Sequence, residues 1–372
     1  MEDGGRRRRR RWAVLGAALA GTVLISGVGL WATDSWPLKD SYCWGAWKQD
    51  SGPRFLGEKG IALADARRAS AESGTPGSDG ATATCTLTVT SALSDSHSEE
   101  PTRFEDKVTL SYGPVPEAPG ERRAWIDRYF NGTASPLPDG LDGLVADDRG
   151  MLILPEACDV DGRPSAVTLW AEGWGDGHLG KVAMSLSLGS ESDVSTMLLD
   201  AADTGMRKAG CAPEKPLRMS SPLVRLAERT GSGAGRPICR IPGVEFPLEK
   251  GGRNSDVRVG VVGDRLQTCS VVWTKRGAPD EPAAQFVMAG SPRTAAVFAG
   301  LPEGAEHGLV RTTCDGRSTV FYAHIGTGLG DAGGKKDRRV FEAFTAAVGQ
   351  RIGCEPAKGT EETEGTTEGA AG

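Results

Sequence analysis

The chain writes one series of residues twice. "AGCAPEKP" at residues 209–216 returns as "IGCEPAKG" at 352–359, each carrying Gly-Cys-x-Pro-x-Lys. Earlier echoes come in the same order both times. Phe55-Leu-Gly-Glu-Lys-Gly answers to Phe246-Pro-Leu-Glu-Lys-Gly, "CTLTVTS" from Cys85 to "CSVVWTK" from Cys269, "LPDGLDGLV" from Leu137 to "LPEGAEHGLV" from Leu301, and "CDVDGR" from Cys158 to "CDGR" from Cys314. The offset falls steadily, from 196 residues between Cys43 and Cys239 to 143 between Cys211 and Cys354. Chance likeness would not stay collinear, whereas a duplicated unit whose second copy has lost loop residues does.

The expectation is therefore two tandem α+β domains, over residues 36–215 and 237–358, joined by a linker at 216–236. "AERTGSGAGRP" at 227–237 has a linker's small, glycine-rich composition, although Leu223 to Leu226 ahead of it could still lie on domain 1. Residues 359–372 hold only Gly, Thr, Glu and Ala and read as a disordered acidic tail. Within each copy, "ATCTLTVTSAL" and "TCSVVWTK" alternate as half-buried strands do, and "PSAVTLWAE", "KVAMSLSLG" and "STVFYAHIG" read as further strands. "SDVSTMLLDAADTGMRKAGC" and "KKDRRVFEAFTAAVGQRIGC" are amphipathic helices stopping at Gly210 and Gly353. "ERRAWIDRYFNG" at 121–132 is a further helix, shortened to "PRTAAVFAG" in the second copy.

All eight cysteines lie beyond residue 42, and no two are spaced Cys-x-x-Cys, which favours disulfides over zinc or a redox motif. The pairing that keeps each copy self-contained joins Cys43 to Cys85, Cys158 to Cys211, Cys239 to Cys269 and Cys314 to Cys354; four cysteines in a unit allow two other connectivities.

Six arginines, Arg6 to Arg11, precede an uncharged run of 21 residues from Trp12 to Ala32, long enough for a helix to cross the ~30 Å hydrocarbon layer. Trp12 and Trp31 stand at its ends, where indoles favour the interface, and the arginines place the N-terminus in the cytoplasm. The run exceeds a signal peptide's apolar region, and Trp31, Thr33, Asp34 and Trp36 make a poor cleavage site. Residues 1–11 are thus expected to be a cytoplasmic basic tip and 12–33 a retained anchor in the cell membrane, with the rest extracytoplasmic. Gly16 with Ala20, and Ala17 with Gly21, are small residues four apart that would let two anchors approach as a homodimer. The tip carries a net +4 and the whole chain −6, so the remainder is −10 and would repel nucleic acid.

Catalytic signals are thin. Gly326-x-Gly328-x-Gly330 follows a strand, but its third glycine falls one place early for a dinucleotide fingerprint and no βαβ unit follows. His97, His178, His307 and His324 do not match between copies, and none accompanies a nucleophile elbow. "DVDG" at 159–162 lacks the later oxygen ligands of a calcium loop. No catalytic, cofactor or metal residue is assigned. The first copy has 13 more residues than the second between its third and fourth cysteines, and they fall in "WAEGWGDGHLGK" at 170–181. Trp170, Trp174, Asp176 and His178 there would form a partner-contact loop, or a hairpin whose tryptophans fold back on the core.

The arginine tip, the Ala-, Gly- and Arg-rich composition and the paired-cysteine ectodomain resemble single-pass, membrane-anchored extracytoplasmic proteins of actinobacteria. The resemblance implies a cell-envelope address and no reaction. The leading expectation is a non-enzymatic envelope protein that binds a ligand or partner; the alternatives are an extracytoplasmic hydrolase with a carboxylate-based site, or a sensor subunit acting through a membrane partner.

Overall fold

The computed structural model describes residues 41–48, 66–93, 101–177, 180–184, 186–224, 228–230, 237–244, 249–250, 253–275, 278–326 and 335–355. The expected anchor at 12–33, the tip at 1–11 and the tail at 359–372 lie outside them, as do Phe55 and Phe246 of the echoes. Among the described residues no helix is long and apolar enough to cross a membrane. The fold is mixed α+β, dominated by antiparallel sheet and closed by four disulfides.

The contacts divide the chain into two units. One holds the described residues up to Val115 and Ser135–Val224; the other holds Pro116–Ala134 and those from Glu228 onward. In the first, β1 (Ser41–Tyr42) and β2 (Trp47–Lys48) form a small ladder. The main sheet uses β3 (Arg67–Ser73), β4 (Ala83–Leu93), β5 (Thr102–Pro114), β6 (Ser135–Pro136), β7 (Gly143–Val145), β8 (Arg149–Ile153) and β9 (Ser165–Gly177) in the order β3-β4-β5-β9-β8-β7-β6. A further strand, β10 (Gly180–Met184), folds back on β9. Alternation in β4 sends Cys85, Leu87 and Val89 inward and the threonines outward, as period-2 patterning requires.

Between β5 and β6 the chain makes α1 (Pro119–Tyr129), and after β10 it makes α2 (Glu191–Ala209). α2 starts in a capping box, with Ser190 and Asp193 serving each other's backbone N–H, and stops at Gly210 in the left-handed region, φ 73°. Its Val194, Met197, Leu198, Ala202 and Met206 share one core with Leu87, Val108, Leu169 and Ala171 of the sheet. Bridges Cys43–Cys85 and Cys158–Cys211 tie β1 and the end of α2 to this body. The segment after α2 is not free linker: Leu217, Met219 and Leu223 lie on the same core. The Asp139 carboxylate accepts the Ser220 and Ser221 hydroxyls and backbone N–H groups, which hold its pKa well below the usual carboxylate range.

The sheet of the second unit uses β11 (Glu228–Thr230), β12 (Glu249–Lys250), β13 (Arg253–Val262), β14 (Leu266–Lys275), β15 (Ala278–Ala289), β16 (Leu309–Cys314) and β17 (Arg317–Ile325), ordered β11-β13-β14-β15-β17-β16 with β12 also on β13. β11 too falls inside the stretch expected to be linker. Helix α3 (Pro292–Ala296) is short; α4 (Lys335–Arg351) covers one sheet face with Phe341, Phe344 and Val348 against Val271, Phe286 and Phe321. Bridges Cys239–Cys269 and Cys314–Cys354 lie within this unit.

α1 also belongs to this second unit, which regroups a helix expected inside domain 1 at 36–215. The opposite face of the sheet presents Thr268, Ser270, Gln285, Val287 and Tyr322, and the five residues of α3 are few to cover it. Phe130, Phe298 and Tyr322 form an aromatic chain there, with centroids 5.7 and 5.4 Å apart. The Gly132 N–H donates to Ser270 Oγ at 2.8 Å, and a Cβ at Gly132 would stand 1.9 Å from the Arg258 carbonyl oxygen. Only glycine allows that approach. Buried Arg122 donates to the carbonyls of Pro116 and Ala299 and closes the segment.

Candidate functional site

The stretch expected to be a glycine-rich loop is a strand. β9 runs through Trp170, Trp174 and Asp176 to Gly177, and β10 returns beside it, so the insertion extends the sheet instead of looping off it. Its glycines have a packing reason. A Cβ at Gly175 would lie 2.8 Å from Met184 Sδ and 3.2 Å from the Phe104 ring, so bare backbone is needed where those side chains cross.

Register then determines which residues meet. The pairings Arg67↔Thr90, Thr90↔Glu105, Glu105↔Trp174 and Trp174↔Ala183 form one row across five strands. Directly opposed residues in antiparallel strands share a face, and this row is out of phase with the core row Leu87–Val108–Ala171. It lies on the sheet face away from α2. One step outward, Ala92 opposes Arg103, and Asp176 lies on the same face.

These two rows line a cleft of about 750 Å³, with Arg67, Arg103, Phe104, Glu105, Trp174 and Asp176 in its wall. That is the size of small-molecule sites in general. Two guanidinium groups and two carboxylates balance in charge beside one indole face, which suits recognition of a polar ligand carrying both signs of charge. Of the four residues expected to act together, Trp174 and Asp176 reach the cleft. Trp170 stands elsewhere, under the Arg149 guanidinium at 5.2 Å with its Nε1 donating to Glu172 at 2.9 Å, and His178 lies outside the described residues. Arg67, Arg103 and Glu105 were not anticipated from sequence; alternation with the core residues of β5 was the available signal for Arg103 and Glu105, and β3 offers no such pattern for Arg67.

A second cluster sits in the second unit. Asp127 on α1 meets His324 Nδ1 on β17, and the Tyr322 hydroxyl donates to Asp127 Oδ1 at 3.3 Å. The Arg123 guanidinium lies 5.7 Å over the Tyr322 ring and donates to the His307 carbonyl at 3.2 Å. The hydrogen bond to Asp127 pushes the His324 pKa up, and burial pushes that of Tyr322 up. The Asp127 carboxylate is thereby spent holding α1 to β17. Of the histidines weighed as bases from sequence, His307 and His324 thus flank this helix contact, and His97 lies outside the described residues. Gly326 directly follows β17, and the rest of the Gly-x-Gly-x-Gly stretch lies outside the described residues. Among the described residues no group of three or more His, Cys, Asp or Glu is placed to hold a metal ion. No family model, curated protein or solved structure matches the chain.

Proposed function

We propose that this is a non-enzymatic, membrane-anchored protein of the cell envelope that binds a polar ligand or peptide partner in the first unit's cleft. The observation that carries the reading is the row Arg67–Thr90–Glu105–Trp174, which assembles an aromatic face and both charge signs on an open sheet surface. The uncharged run at 12–32 behind six arginines supports the membrane address.

Tandem duplication is part of the same proposal. The orders β3-β4-β5-β9-β8 and β13-β14-β15-β17-β16 follow one topology, and in both units one bridge ends on the second of these strands while the other ties the final helix's end. On this reading the cleft is a feature of the first copy alone, because Trp174 and Asp176, which line it, fall in the 170–181 stretch where the second copy is shorter.

The test titrates the full chain with a panel of short zwitterionic peptides and soluble amino-sugar oligomers, followed by thermal shift and calorimetry. Binding should be lost in Trp174→Ala and in Arg103→Glu, with the melting temperature of the free protein unchanged. Ligand-induced stabilisation that survives both substitutions, or turnover abolished by one carboxylate change, would overturn the reading.

A further inference from the structure

We propose that the α2 side of the first unit's sheet carries a bilayer-docking patch formed by Leu93, Phe104, Val182 and Met184, which lays this end of the unit on the membrane that anchors it. The inference rests on the anchor reading of residues 12–33 and goes beyond it.

Phase identifies the face. Ser91, Phe104, Gly175 and Val182 form one cross-strand row, and Val89, Asp106, Gly173 and Met184 the next, in register with the core residues Leu87, Val108 and Ala171. Side chains on these rows project to the same face as α2. Past the last fully buried core positions the surface stays apolar but open: Leu93 is 45%, Val182 54% and Met184 49% exposed, with Phe104 half-buried over Gly175. Large apolar side chains left open side by side mark an interaction surface. The charged members of this face, Arg68 and Asp106, stand in Met184's own row, and among the described residues the rows beyond it, through Val182 and Leu93, carry none.

The chain's path selects a bilayer as the occupant. Seven residues, 34–40, separate the expected span from Ser41, so the unit starts at most about 30 Å from the end of the anchor. It starts on the correct face. The Tyr42 ring lies beneath the Arg68 guanidinium at 5.8 Å, and Arg68 opposes Val89, at the far end of the row that finishes at Met184. Anchor entry and apolar patch thus flank one strip of sheet about 20 Å across. A surface tethered so closely meets the membrane at high effective concentration, so a weak interfacial affinity is enough to hold it down.

The full chain is reconstituted in phosphatidylethanolamine–phosphatidylglycerol vesicles containing a trace lipid with a diazirine on its acyl chain. Adducts are mapped after photolysis. Expected are adducts on residues 12–33 and also on the peptides holding Leu93, Phe104, Val182 and Met184; the second set should disappear in the Val182→Asp, Met184→Asp variant while the first persists, with all four bridges intact. Adducts on 12–33 alone would overturn the proposal and leave the anchor standing; protection of Met184 from peroxide in that case would assign the patch to a second copy or a partner strand on β10. Absence of adducts from 12–33 would overturn the anchor and this proposal together. Patch adducts unaffected by the aspartates would mark the contact as incidental and overturn the proposal.

Discussion

Asp106 shows how one residue can be placed by register and still work against its surroundings. It alternates in phase with Val108, Leu110 and Tyr112, so it projects to the core side of β5, where burial raises its pKa above the usual carboxylate value. A carboxyl whose folded pKa exceeds its unfolded one favours the fold most when protonated, and that advantage is lost as pH rises through the folded value. Asp106→Asn should therefore raise the melting temperature at neutral pH by about 1–2 °C, discounting for partial exposure. The gain should vanish near pH 3, where the aspartate is protonated in both states. A lower melting temperature at pH 7 would mean that the carboxylate has a stabilising partner. The tension was visible in "RFEDKVTLSY", because alternation alone puts an aspartate on the apolar face. Trp174 was visible as an aromatic residue among glycines. The cleft's arginines were not, because Arg67 and Arg103 arrive on strands far from Trp174 in the chain, and only register joins them.

Helix α1 is held to its sheet by a close approach at one end and an ionisable contact along its length. Gly132→Ala would drive a methyl group into the Arg258 carbonyl and break the hydrogen bond to Ser270, so it should destabilise by about 2–4 kcal/mol, read as a lower denaturant midpoint with faster amide exchange over 119–129. Unchanged exchange there would show that α1 does not depend on the approach. The Asp127–His324 contact predicts a pH dependence. His324 has a raised pKa, chiefly through its hydrogen bond to Asp127 and opposed by partial burial and by Arg123, so the pair contributes fully below about pH 6.5 and fades as pH climbs past the folded value. The melting temperature should fall as pH rises above about 6.5 in the native chain, and His324→Gln should flatten that slope. A variant with the same slope as the native chain would remove the contact from the account. α2 and α4 were legible in full, since caps, charges and a glycine stop are local signals. The partner of α1 was not legible: a helix's apolar side says that it covers a sheet without saying which one. "KVAMSLSLG" reads as a strand and contains most of β10, whereas the continuation of β9 through residues 173–177 was missed, because the glycine that lets Met184 and Phe104 cross it also looks like loop punctuation.

At the scale of the molecule, stability leans on the four bridges, because the sheets are wide and the helices few. The bridges close loops of 42, 53, 30 and 40 residues, all within one unit or the other. Loop entropy gives each about 3.5–4 kcal/mol, which together rivals the ~5–15 kcal/mol net stability of a typical domain. Complete reduction should therefore unfold most of the chain at 37 °C, seen as loss of near-ultraviolet dichroism and rapid amide exchange in β4, β14, α2 and α4. Selective loss of Cys314–Cys354 by double serine substitution should speed exchange first in α4 and β16, because Cys314 ends β16 and its partner follows α4. Peptide mapping under non-reducing conditions gives the covalent check, with the four pairs above expected and no bridge joining the units. A Cys85–Cys239 linkage would show that the copies are not covalently self-contained, and a reduced protein that melts within a few degrees of the oxidised one would show that the units are held by their cores and not by their staples. The order of the cysteines already contained this pairing as the most economical of three per unit, because a bridge inside each copy needs nothing from the other.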